Sequence, residues 1–222
     1  MEKVFVFLGK KADDTYESFR ARYLGEHKEK ILSAGVNKYL ASTCESPSEA
    51  LLEAGWGVFS ADDNKFEAYD TVWTDDVGKL LAQYSDENML CAYRAEENVV
   101  INCSVDTPEG EANFWIKRVV PIHRKEGMTM DEFVDYWKNI HGPKAKEHLT
   151  GLGLYCQNYI REVLVGEKDE WNGITELYYW SENAFKYGHF SQPDSRKILG
   201  EDNANFVSRG MTLLFKEYVQ KA

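Results

Sequence analysis

The sequence is poor in several things at once. It has 5 prolines and 4 cysteines in 222 residues, and its longest strictly apolar run is Val4 to Leu8. That run is far shorter than the ~20 residues of a membrane helix, and the amino terminus lacks the basic start and long apolar stretch of a secretory signal. The cysteines (Cys44, Cys91, Cys103, Cys156) are too scattered for a zinc site or a disulfide framework. Buried free thiols and a cytoplasmic chain are therefore expected. Basic charge is also scarce, with 26 Lys and Arg against 37 Asp and Glu and a net charge of -11. Such a field repels phosphate backbones and anionic membrane surfaces and argues against nucleic acid or membrane as a partner. Gly151-Leu152-Gly153 lacks the third glycine and following helix of a dinucleotide site. The five histidines (27, 123, 141, 148, 189) show no close ligand pair, so no metal is expected.

What is present is ordinary core material, 43% hydrophobic and 14% aromatic, and a repeat. Thr15, Phe19, Tyr23 and His27 are matched by Thr129, Phe133, Trp137 and His141 at a constant offset of 114. Tyr39 pairs with Tyr155 after a two-residue shift, and Trp73 with Trp180 at an offset of 107. Each half begins with a strand-like stretch (3–8; 113–122), followed by a helix with a threonine N-cap. Strands then follow at 36–44 and 152–165 and at 66–73 and 174–180, then a short helical region and a closing strand (99–105; 211–218). The predicted fold class is α+β: two ferredoxin-like β-α-β-β-α-β repeats, 1–106 and 113–222, joined by a polar linker at 107–112. The bare faces of two such sheets can bury each other as a pseudo-twofold barrel within one chain, as monomer or homodimer.

The stretch Arg124-Lys125-Glu126-Gly127-Met128-Thr129, then Glu132-Phe133, Tyr136-Trp137 and His141-Gly142-Pro143, resembles the signature of the EthD family of dimeric α+β barrel proteins. The likeness continues through Gly151 to Tyr155, Gln157-Asn158, Gly173 to Leu177, Phe190 to Pro193, and Glu201-Asp202 to Phe206. The first half resembles the family less, with Lys28-Glu29 where the second has Gly142-Pro143. The resemblance implies a pocket between sheet and helices and leaves the reaction open among cyclases, isomerases, dehydratases, oxygenases and haem-handling proteins.

The candidate catalytic residues are His141, Glu176, Tyr155 and His27. His141 closes an apolar helical face, and an imidazole can exchange protons near neutrality. Gly142-Pro143 is expected to end that helix and hold the ring at a defined exit. The bland alternative is a helix-ending histidine bonded to a carbonyl, and it is preferred for His27. Glu176 and Asp70, at matching places on the third strands, are expected to orient a histidine or to bond a backbone group or Lys117. Candidate substrate-binding residues are Trp137, Trp115, Lys117, His123, Tyr178, Trp180, Tyr23 and Tyr39, most of which serve equally well as core aromatics. His148 and His189 are expected at the surface. The function expected first is a cofactor-independent lyase or isomerase (dehydratase or cyclase type) acting on a small apolar or aromatic oxygenated molecule. The alternatives are a cofactor-free or haem-dependent monooxygenase, with His141 able to ligate haem, and a non-catalytic carrier or sensor.

Overall fold

The computed structural model describes residues 1–44, 65–103, 106–113 and 115–222. The strand-end assignments of Val105 and Phe114 lie outside these. The elements run β1 (Glu2–Gly9), α1 (Tyr16–Arg22), a π turn (Tyr23–His27), α2 (Lys28–Ser33), β2 (Lys38–Cys44), β3 (Ala68–Thr74), α3 (Val77–Ala82) and β4 (Asn88–Asn102). The same order then recurs: β5 (Ile116–Arg124), α4 (Met130–Tyr136), a π turn (Trp137–His141), α5 (Gly142–His148), β6 (Leu152–Val165) and β7 (Gly173–Tyr179). It is completed by α6 (Glu182–Tyr187), α7 (Ser195–Asn203), β8 (Val207–Gly210) and β9 (Leu213–Lys221).

The strands pair antiparallel in the order β7-β6-β4-β1-β3-β2-β9-β5, and β5 pairs back to β7. Eight strands thus close into a barrel, with the short β8 added to the far part of β5. Closure removes exposed sheet edges. The seams between the halves are β4–β6 and β2–β9. Alternation along β1 assigns the two faces. Phe5 and Phe7 join Tyr69, Tyr93, Ile174 and Phe215 in the barrel interior, whereas Val4, Val6 and Leu8 pack under Phe19, Tyr23 and Ile31 of the helices. In the second half Trp115, Lys117 and Val119 are buried, while Arg118, Val120 and Ile122 turn to the helical side.

Thr129 starts α4 with a full capping box to Glu132, an arrangement worth about 1 kcal/mol. The expected stop at Gly142-Pro143 is not there. The π turn hands the Gly142 N–H to the Trp137 carbonyl, and Pro143 then falls in the first turn of α5, where a missing N–H costs nothing. Gly142 keeps helical angles (φ -53, ψ -54) because it has no Cβ to meet the proline ring. Trp137 in turn lies flat on Gly173, where any Cβ would come within 2.3 Å of the indole. His148 and His189, expected outside, are both buried, bonded to Ser195 Oγ and Tyr179 Oη. Cys44, Cys91 and Cys156 are buried, and Cys103 is exposed. Among the described residues no helix is long and apolar enough to cross a membrane.

Candidate functional site

A cavity of about 420 Å³ lies between the outer face of the second-half sheet and the α7 side of the molecule, within the size range of small-molecule sites. Val120, Ile122 and Leu177 form its floor, with Leu199 and Phe206 opposite. His141, at the end of the π turn, lines it and packs against Phe206 at 5.0 Å between ring centres. A π turn widens the backbone locally and changes where the next side chains point.

The Nδ1 of His141 is 2.8 Å from Asp202 Oδ2 on α7. Asp202 also accepts a bond from Tyr136 Oη at 3.0 Å and pairs with Lys144. Burial opposes its ionisation, but the bonds from Lys144, His141 and Tyr136 hold its carboxyl below the usual carboxylate range. For His141 burial prevails and lowers the imidazole pKa from 6.5, with Asp202 pulling the other way. The ring is therefore neutral at neutral pH. With Nδ1–H donating to Asp202, Nε2 is the basic nitrogen of the ring.

A second polar group occupies the same cavity. Arg118 donates from Nη2 to Thr212 Oγ1 at 3.1 Å, and Tyr179 Oη is 2.7 Å from His189 Nδ1. Burial, aided by the Arg118 charge, lowers His189 to about 3. Burial raises Tyr179 to about 12, against the effect of Arg118.

The first half arranges the same parts differently. His27 is 1% exposed, stacked on Tyr23, with Nε2 2.8 Å from Asp70 Oδ2 and Nδ1 3.5 Å from Glu87 Oε1. Burial alone would lower its pKa, yet the two carboxylates raise it to about 9. Tyr23, Tyr39 and Tyr84 all donate to Asp70. His27 is a clamped cation.

The structure brings His141 and Tyr155 to the cavity. Trp137 lies behind Tyr155 and donates from Nε1 to its Oη at 3.2 Å, and Gln157 does the same at 3.2 Å. The pairing of Glu176 with Asp70 is corrected. In register, Asp70 lies opposite Val6 and Thr175 opposite Val120, so Thr175 is the counterpart of Asp70, and Glu176 points to the other face. There Glu176 binds Lys117 at 3.0 Å, Lys3 at 3.0 Å and Tyr69 at 3.1 Å. Lys117 and Tyr178 both reach Glu217, at 2.5 and 2.7 Å. Lys117, Glu176 and Tyr178 thus belong to the barrel interior and face away from the cavity. Trp115 packs against the 39% exposed Trp180 at 4.0 Å, apart from the cavity lining. His123 lies in a surface groove beside Arg124 and Ser208.

Sequence reasoning missed Arg118, Asp202 and His189 as site residues. The alternation Trp115, Lys117, Val119 against Ile116, Arg118, Val120 held the signal for Arg118, but not the face. Asp202 is 61 residues from its histidine, and only the fold joins them. Among the described residues no group of three or more His, Cys, Asp or Glu could hold a metal.

Three solved structures share the fold over nearly the whole chain. One is described as an "anthrone oxidase-like protein" (TM-score 0.57, 10% identity, covering 100% of this chain and 93% of the other). Two are described as a "putative monooxygenase". That from Lactobacillus acidophilus has a TM-score of 0.53 at 11% identity (100% and 96% covered), and that from Fusobacterium nucleatum 0.53 at 12% (99% and 92%). Identities this low concern the fold alone. No curated protein sequence matches the chain. The family model of the EthD domain matches residues 125–210, the stretch that carries His141, Asp202 and Tyr155.

Proposed function

We propose that this protein is a cofactor-free oxygenase in which His141 removes a proton from an acidic C–H or O–H of a small aromatic molecule, leaving an anion that reacts with dioxygen. The observation that carries the reading is the neutral His141, fixed through Nδ1 by Asp202 2.8 Å away, lining a mainly apolar cavity. A fixed general base contributes about 10² to 10⁴ in rate. For a methylene compound the balance is R₂CH₂ + O₂ → R₂C=O + H₂O. The names of the structural neighbours support oxygen as the second reactant rather than elimination or double-bond shift, although those reactions would begin with the same deprotonation.

The chain is, in this reading, a fused pair of ferredoxin-like repeats, 1–106 and 113–222, that keeps one working site. Support comes from the doubled element order and from Lys3 and Lys117, 114 residues apart, which both bind Glu176 from equivalent places on β1 and β5.

Anthrone is the probe that tests the chemistry. The wild type should consume one dioxygen per anthrone converted to anthraquinone, with no visible haem absorption, and His141→Ala should lose about 10² to 10⁴ of that rate. Conversion without oxygen uptake would return the lyase or isomerase reading. Tight binding without conversion, unaffected by His141→Ala, would return the carrier.

A further inference from the structure

We propose that the cavity takes an acidic hydroxyl compound, a phenol or enol, whose oxygen sits where the Asp70 carboxylate sits in the first half, with Tyr155 as the donor that holds this oxygen while His141 takes its proton. The proton transfer rests on the reading of His141 as the base. The seat and the Tyr155 bond do not.

The seat follows from register. Tyr39 lies opposite Val72 and Tyr155 opposite Leu177, two residues from Asp70 and Thr175, so the two tyrosines are counterparts just as Asp70 and Thr175 are. The histidines are turned alike, with Nδ1 toward Glu87 in one half and toward Asp202 in the other. In the first half His27 Nε2 and Tyr39 Oη meet on one carboxylate, 2.8 and 2.9 Å from the two oxygens of Asp70. In the second half Thr175 has no carboxylate to put there, is half-buried, and lines the cavity together with His141 and Tyr155. The first half thus carries in its own chain the anion that the second half receives from a ligand.

The phenol of Tyr155 is set up to donate. Its oxygen receives N–H bonds from Trp137 Nε1 and Gln157 Nε2, each at 3.2 Å, and neither group can take a proton in return. The Gln157 amide is held in this sense, because its Nε2 also donates to the Trp137 carbonyl at 2.9 Å while its Oε1 accepts from Tyr159 at 2.7 Å and from Asn98 at 2.9 Å. The proton that Tyr39 gives to Asp70 is therefore, in Tyr155, directed to the ligand. Burial raises the Tyr155 pKa to about 12, against the pull of Gln157 and Trp137, so that proton stays on the phenol at neutral pH. A positioned donor is worth most toward an oxygen on which charge develops in a site shielded from water.

The step balances with no further reactant. The ligand O–H bond breaks, the proton passes to Nε2 of His141, and the electron pair stays on the oxygen, which keeps the bond from Tyr155. The imidazolium Nε2–H then becomes a second donor to that oxygen, as His27 is to Asp70.

The test uses 4-nitrophenol, whose ionised form is coloured, and its methyl ether 4-nitroanisole, which has the same ring without the acidic proton. At about pH 8, where the probe enters as the phenolate, Tyr155→Phe should weaken its binding at least about tenfold, as loss of a charge-assisted bond predicts, and leave the ether within about twofold. Because that variant leaves two buried N–H groups unmet, Thr175→Asp is the second arm: it keeps Tyr155 and both its donors, and a protein carboxylate in the seat should exclude the phenolate to a similar degree, with Thr175→Asn doing so less. Phenolate affinity unchanged in either Tyr155→Phe or Thr175→Asp, or an equal loss for phenolate and ether in Tyr155→Phe, overturns the seat. At about pH 6 the wild type should bind 4-nitrophenol with the absorbance of the phenolate, and His141→Ala should not. A colourless complex at that pH, with the Tyr155→Phe loss intact, would remove the base and leave the seat standing.

Discussion

Asp70 on β3 and Thr175 on β7 hold the same register position in the two halves, opposite Val6 and Val120, and the difference between them separates a sealed histidine from an available one. In each half an acid approaches the histidine Nδ1: Glu87 at 3.5 Å from His27, and Asp202 at 2.8 Å from His141. Only in the first half does a strand carboxylate also take Nε2, at 2.8 Å. Two acids make His27 a cation. One acid, with burial, leaves His141 a neutral base.

The pH dependence of turnover follows from that neutrality. Because burial lowers the His141 pKa below 6.5, the base form should predominate at neutral pH, and kcat/KM should fall on an acid limb with its midpoint below 6.5. Asp202 acts to raise that pKa, so Asp202→Asn should move the limb to lower pH while reducing kcat by about 10² or more through loss of the fixed ring orientation. A limb that stays in place when Asp202 is replaced would detach the acid from the base.

His27 predicts a dependence of stability instead. A histidine raised in the folded state stabilises fully below its unfolded pKa of ~6.5 and loses that contribution as pH rises through the folded value, here about 9. Denaturant midpoints should therefore fall between about pH 6.5 and 9, by a stability on the order of 3 kcal/mol. His27→Gln should be less stable at pH 6 and should flatten the profile across this window. A profile as steep in His27→Gln as in the wild type would assign the slope to another group.

The buried lysines depend on Glu176. Replacing it with Ala leaves Lys3 and Lys117 short of a partner inside the barrel, and uncompensated buried charge costs about 3–5 kcal/mol. Glu176→Gln, which keeps the shape and a carbonyl acceptor, should cost less. In either variant the rate per folded molecule should remain close to wild type, because Glu176 faces away from the cavity. A selective loss of kcat in a fully folded Glu176→Gln would restore its catalytic candidacy.

Much of the architecture was legible. Alternating β-branched and aromatic runs and threonine caps marked the strands and the helices, because each is a local pattern. The site was half legible. His141 and Tyr155 stand out on repeat positions, but two local rules misled. A proline normally stops a helix, yet a π turn and Gly142 let the chain pass Pro143. Pairing Asp70 with Glu176 failed because a shift of one residue turns a strand side chain to the opposite face. His148 and His189 looked like surface residues because their polar neighbours are near in sequence, whereas their partners, Ser195 and Tyr179, are brought by the fold.

Converting the second half to the state of the first tests the whole comparison. Thr175→Asp places a carboxylate at the register position from which Asp70 grips His27. An opposite charge within ~4–6 Å favours the protonated imidazole, so the His141 pKa should rise above 6.5. The group would then be a cation at neutral pH, unable to accept a proton, and turnover at pH 7 should fall by about 10² or more. Two further signs distinguish this from simple damage. Activity should recover partly as pH is raised through the new pKa, and the His141 ring resonances in NMR should titrate at higher pH than in the wild type. Thr175→Asn, of the same size without the charge, should retain most of the activity. If Thr175→Asp and Thr175→Asn lose activity equally, with no recovery at high pH, the difference between the halves is one of shape and not of charge.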